Sequence, residues 1–236
     1  MKALKAALMF AVVLGVITAG AVSLWLGRGV KLAVERYGPA LVGAPVTVGA
    51  VVLSPWSGRG TMRNLVIGNP PGFKGAHALS VRSVEVKLKL SSLAGDTIII
   101  ESVVAREPEI LYEAGAGGSN LARLHRNAEA ARPREKAGPG EGSPAKAMLI
   151  RDLVVTGGTV GLSTTLGSSG VKLSLPDVHL TELGGKGRSP AQAASEALAA
   201  ISGAAGKAVS GAGAKALTGA ASSVAEKLGG LFKGKK

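Results

Sequence analysis

Between Leu65 and Leu121 apolar residues return at alternate positions, and clusters of turn-forming residues cut the pattern into strand-length pieces. Successive side chains of a strand point to opposite faces of its sheet, so this pattern predicts a sheet that is apolar on one side and polar on the other. In Val81–Leu90 the residues Val84, Val86, Leu88 and Leu90 share one face, and Glu85, Lys87 and Lys89 the other. After the turn-prone Ser91-Ser92-Leu93-Ala94-Gly95-Asp96, the β-branched run Thr97-Ile98-Ile99-Ile100 favours an antiparallel return. Strict alternation then places Ile98, Ile100, Ser102 and Val104 on one face, and Ile99, Glu101 and Val103 on the other. Met62–Ile67 predicts a shorter strand, ended by Asn69-Pro70-Pro71-Gly72, where two prolines remove backbone donors.

The order Leu65-x-Ile67-x-Asn69-Pro70-Pro71-Gly72-Phe73, Lys89-Leu90-Ser91-Ser92-Leu93, Pro108-x-Ile110 and Ser119-Asn120-Leu121-x-x-Leu124 resembles the N-terminal region of AsmA-like proteins of the bacterial AsmA/TamB type, over Lys2 to Asn127. The resemblance implies a single inner-membrane helix followed by a folded-over β-sheet whose apolar inner face accommodates acyl chains. It also implies a bacterial inner-membrane location, with the bulk of the chain in the periplasm and an association with phospholipid movement. The chain departs from the larger relatives in length, since 236 residues are too few for a groove that spans a periplasm.

The second firm feature is Ala6–Gly27, a 22-residue uncharged run between Lys5 and Arg28. About 20 apolar residues cross a bilayer. A cleaved signal peptide is the competing reading, supported by Lys2, Lys5 and the small residues Ala19-Gly20-Ala21, but its apolar core spans only about 7–15 residues. A retained anchor with Trp25 at the far interface is therefore expected. Lys2 and Lys5 face Arg28, Lys31 and Arg36 across the run, so charge does not fix orientation. Val30–Tyr37 continues the helix, and Gly38-Pro39 is expected to stop it. Val46–Leu53 predicts a strand interrupted by Gly49, with Trp56 packed over the open end of the sheet.

Downstream, Asn120–Glu129 predicts a short helix with Ser119 as N-cap and His125 on a solvated basic face beside Arg123 and Arg126. Residues 130–146 combine three prolines with glycine and mixed charge, the composition of a flexible linker. Strand character returns at Ala147–Thr156, Thr159–Leu166 and Val171–Leu175, which are expected to extend the same sheet. Within Glu196–Gly219, EALAAISG, AAGKAVSG and AGAKALTG are three successive octads, and Leu198, Ile201, Val209, Leu217, Val224, Leu228 and Leu231 fall in one half of a helical wheel. Interior glycines cost such a helix about 1 kcal/mol each relative to alanine, so it needs a partner. The partner is the protein's own sheet, a second copy or a membrane surface.

The expected fold is thus mainly β with helices: an N-terminal transmembrane helix, an amphipathic curved antiparallel sheet forming an open groove, and a Gly/Ala-rich C-terminal helix. The divisions are 1–29 (anchor), 30–129 (AsmA-like groove with a short helix), 130–146 (linker), 147–185 (further strands) and 186–236 (basic helical tail). The expected groove lining is Val84, Val86, Leu88, Leu90, Ile98, Ile100, Val171, Leu173 and Leu175. Without cysteine the chain has no disulfide and no thiolate nucleophile. His77, His125 and His179 are scattered and the aspartates lack metal-ligand spacing, so neither an enzyme nor a metal or other cofactor is expected. Gly115-Ala116-Gly117-Gly118 lacks the Gly-Lys-Ser/Thr of a phosphate loop and predicts a turn. A net charge of +13 with 3% aromatic residues and no nucleic-acid motif points to anionic phospholipid or other acidic envelope polymers, not nucleic acid. The expected partners are a phospholipid or other acyl lipid and the membrane, with a homo-oligomer or another envelope protein as a further possibility. A non-enzymatic scaffolding subunit, its sheet face filled by its own tail or a partner, is the alternative function.

Overall fold

A computed structural model describes residues 2–115, 118–131, 146–164, 167–185 and 188–233, with side chains described outside 2–19, 163–171 and 213–233. The described residues form helices α1 (Lys2–Val42), α2 (Asn120–Ala131) and α3 (Pro190–Lys233). Strands are β1 (Val46–Ser54), β2 (Arg59–Ile67), β3 (Leu79–Leu88), β4 (Thr97–Gly115), β5 (Gly118–Ser119), β6 (Ala147–Thr156), β7 (Thr159–Thr164), β8 (Gly167–Ser174) and β9 (Val178–Gly184). A short 3-10 turn at Leu90–Ala94 joins β3 to β4. Leu90 therefore belongs to a turn and not to the strand expected to end there.

The sheet is open and mixed, in the order β1-β2-β3-β4-β6-β9, with β7 and β8 beside the far half of β4. The expected antiparallel sheet is corrected at one seam: β4 pairs β6 and then β7 in parallel. Parallel neighbours need a long crossover, and the stretch containing α2 supplies it. The β1–β2–β3–β4 meander is antiparallel as expected.

Two transverse creases interrupt strand alternation. At the first, the ladders skip Gly49, Asn64, Arg82 and Glu107 in adjacent strands. Asn64 (φ 52°) and Glu107 (φ 52°) are left-handed, as is Gly157 (φ 66°) between β6 and β7. One extra residue per strand reverses which side chains point inward, so Val46 and Val48 share a face with Val51 and Leu53. At the second, Glu101 is an extra residue opposite the Lys87/Leu88 step, and Glu182 (φ 56°) is skipped opposite Arg151.

Because the first crease is matched from strand to strand, apolar ladders cross the whole sheet. Val46, Ile67, Leu79, Ile110, Val160 and Leu173 form one such cross-strand row. Beyond the first crease Val51, Met62, Val84, Ala105, Val155 and Val178 form another. Ile110 and Val160 are fully buried, joined in one core with Leu121, Leu124 and Ala128 of α2 and Leu198 and Ala205 of α3. Each such Val, Leu or Ile side chain contributes about 1.5–3 kcal/mol when removed from water.

Helix α1 covers the free edge of β1. Ser23 Oγ donates to Leu53 O, Lys31 Nζ donates to Gly49 O at 3.2 Å, and the Val48 N–H donates to Glu35 Oε1 at 2.9 Å. Gly27 lies against Val51, where a Cβ would come within 2.2 Å of the carbonyl oxygen. These contacts occupy an edge that would otherwise offer unpaired backbone groups. Pro39 does not stop α1, which continues to Val42. The stop is Gly43 (φ 66°), whose N–H donates to Pro39 O at 2.9 Å in the left-handed cap that glycine favours.

Helix α2 extends two residues past the expected Glu129, and Ser119 caps it by accepting the Ala122 N–H at 3.2 Å. Gly115 pairs with Gly118 across the expected turn. The expected linker falls mainly on 132–145, outside the described residues. Among the described residues no helix is long and apolar enough to cross a membrane. Most of Ala6–Gly27 lies where side chains are not described.

Candidate functional site

The apolar face of the sheet brings together most of the expected lining residues, at graded burial. Val84 is 9% exposed and Leu175 is 3% exposed, so both belong to the core. Val86, Leu88, Ile98, Ile100 and Leu173 are half-buried. Leu90, on the 3-10 turn, is 37% exposed. The side chain of Val171 lies outside the described residues.

Strict alternation misassigns one stretch of this face. Val103 stands opposite Val86 and packs on the core, while Val104 stands opposite Glu85 on the polar side. The extra residue Glu101 reverses the phase, so Ile100, opposite Leu88, and Val103 both point inward. Met62, Val103 and Leu180 also pack against the buried cluster and are added to the face. Met62 was legible as strand, but nothing in a single sequence marked the phase reversals at Asn64 and Glu101.

One part of the face is covered by the protein itself. Helix α3 packs on α2 and β9 through Leu198 and Ala205, with Ile201 and Val209 half-buried beside them. The Gly184 N–H donates to Glu196 Oε2 at 3.1 Å, and the Met148 N–H donates to Arg188 O at 3.1 Å, fixing the start of α3 on β9 and β6. The octads from residue 213 onward fall where side chains are not described. Gly203, Gly206 and Gly211 have open space around them and make no close intramolecular approach.

The opposite face is polar and laced with ion pairs. Lys87 Nζ lies 2.7 Å from Glu101, Arg106 Nε 3.1 Å from Glu85, and Lys172 Nζ 3.0 Å from Glu109. The hydrogen bond from Lys87 holds the Glu101 carboxyl below its ordinary value, and the hydrogen bond to Glu85 holds the Arg106 guanidinium above its own. A shallow hollow of about 430 Å³ lies here, lined by Arg59, Thr61, Glu85, Lys87 and Ser102. His125 is 3.8 Å from Glu129 on α2, and His179 contacts Asp152 at 2.5 Å on exposed strand positions. Among the described residues no group of three or more His, Asp or Glu is placed to hold a metal ion.

Trp56 departs from expectation. It is 74% exposed at the β1–β2 turn instead of packed over the sheet end, because the four-residue connection projects past Ser54 and Arg59.

No family model, no curated protein and no solved structure matches this chain.

Proposed function

We propose that this is a single-pass, membrane-anchored protein of the bacterial envelope that holds lipid acyl chains on its apolar sheet face, contributing to lipid transport or envelope maintenance. The observation that carries the proposal is that the apolar face outruns the buried core: Val86, Leu88, Ile98 and Ile100 continue it in half-buried positions. A surface of this kind binds alkyl chains without directional contacts, at about 0.8 kcal/mol per buried methylene. The role requires no bond making, and headgroups remain in water. Ala6–Gly27 and the AsmA-like motifs support the anchored arrangement.

Purification in mild detergent followed by lipid mass spectrometry tests the proposal. Phospholipid should exceed that of an unrelated single-span control and fall in Leu88→Asp. No excess, together with no effect of the substitution, overturns it.

The docking of Leu198 and Ala205 into the core favours a second reading, a scaffolding protein whose own tail fills the face. Removing residues 189–236 separates the two. Lipid occupancy rises if α3 takes the place of acyl chains, and the assembly mass falls if α3 joins copies.

A further inference from the structure

Helix α1 runs antiparallel to β1, with Ser23 at Leu53, Gly27 at Val51, Lys31 at Gly49 and Glu35 at Val48. Followed toward its N-terminus, it leaves the sheet at the end formed by the β1–β2 turn and the 3-10 turn. That end concentrates exposed apolar surface: Trp25 is 75% exposed, Trp56 74%, Leu24 64% and Leu93 45%. The two turns adjoin. The Leu88 N–H donates to Gly58 O at 2.8 Å, and a Cβ on Gly58 would lie 3.2 Å from Leu90 Cγ. Lys146 Nζ donates to Leu93 O at 2.7 Å, and Lys146, Arg59 and Lys89 are exposed beside the apolar side chains.

The lengths fit a bilayer. Ala6–Ser23, the part of the uncharged run up to the contact of Ser23 with Leu53, rises about 27 Å at 1.5 Å per residue, close to the ~30 Å hydrocarbon core. With that stretch in the hydrocarbon, Ser23 and the neighbouring end of β1 lie at the headgroup boundary. Tryptophan side chains concentrate at this depth, and basic groups are drawn to anionic lipid there.

We propose that this end of the sheet is seated in the headgroup layer of an anionic phospholipid bilayer, with Trp25, Trp56 and Leu93 as interfacial anchors and Arg59, Lys89 and Lys146 on phosphates. The inference rests on the membrane-anchored reading above. It adds that the folded part is held against the lipid surface instead of standing off it, so that the half-buried apolar face opens at lipid level.

The full chain carrying Trp25→Phe retains Trp56 as its sole tryptophan. Reconstituted into nanodiscs of phosphatidylglycerol and phosphatidylcholine with brominated acyl chains, Trp56 should emit to the blue of its value in water. It should be quenched strongly by bromine near the headgroup end of the chain and weakly by bromine near the methyl end. Water-like, unquenched emission overturns the proposal. So does blue-shifted but unquenched emission, which would mean that another copy of the chain covers Trp56. Quenching that does not weaken in discs of phosphatidylcholine alone overturns the part assigned to the three basic residues. Lipid bound by the same purified chain is measured separately. A lipid-free chain with quenched Trp56 overturns the carrier function alone, and a lipid-loaded chain with unquenched Trp56 overturns the seating alone.

Discussion

Asn120 Nδ2 donates to Asn69 Oδ1 at 2.8 Å, joining positions 51 residues apart. The same amide donates to Leu111 O at 2.7 Å and accepts the N–H groups of Glu113 and Leu121. Asn69 in turn donates to Gly75 O at 2.8 Å, and the buried Glu113 carboxylate accepts the N–H groups of Lys74 and Gly75. Two sequence motifs far apart in the chain, Asn69–Phe73 and Ser119–Leu121, are therefore bonded to one another. Their part here is to close the loop before β3 onto the start of α2.

Asn120→Ala should cost about 1–3 kcal/mol of stability, because it leaves buried partners unsatisfied. Denaturant unfolding of the purified chain measures it. A loss within error of zero would show that the network contributes nothing to stability.

Gly27 and Gly29 form a matched pair of tests two residues apart. At Gly27 a Cβ meets Val51 O at 2.2 Å, whereas at Gly29 nothing lies within 4 Å. Gly27→Ala should destabilise by about 1–3 kcal/mol through overpacking and speed amide exchange in β1. Gly29→Ala should be neutral or stabilise by up to about 1 kcal/mol, as expected of an open helical position.

Of the fold, most strands and α2 were legible from alternation and from the Ser119 cap, but β9 was not, because Val178, Leu180 and Leu183 lose alternation at the residue skipped at Glu182. The direction of β6 was not, because the excursion between β4 and β6 permits either orientation until it is seen to cross over. Nor were the creases, since φ values of 52° at Asn64 and Glu107 leave no mark that sequence pattern detects in a glutamate. The β1 cover was legible and missed: Ser23, Gly27, Lys31 and Glu35 recur every four residues along one stripe of a helix otherwise read as a membrane anchor. Of the candidate site, alternation put Val84 and Val86 on one face, as the structure has them, Val84 in the core and Val86 half-buried, while Val103 was lost to the phase reversal at Glu101.

The first crease yields its own test. At Glu107 a left-handed backbone disfavours β-branched residues, so Glu107→Val should be less stable than Glu107→Gly by about 1–2 kcal/mol. Both variants remove the exposed contact to Arg82, so that contact drops out of the difference between them. Equal stabilities would mean that the left-handed turn is not needed there.

Glu101 supplies a pH test. Its folded value lies below the usual 4.5, so its contribution is present above that value and is lost as pH falls through the depressed one. In Lys87→Met the carboxyl should titrate nearer 4.5, as followed by NMR of the side-chain carbon. The pair is solvent-accessible, so acid unfolding should shift little.

The cover on β1 also gives the sheet a polarity of growth. With Ser23, Lys31 and Glu35 occupying backbone groups along that edge, no further strand has a template there without first peeling α1 away. A second chain or a longer homologue could lengthen the sheet only from the side of β8 and β9. Any conduit assembled from such units would extend in one direction, away from the helix that begins it.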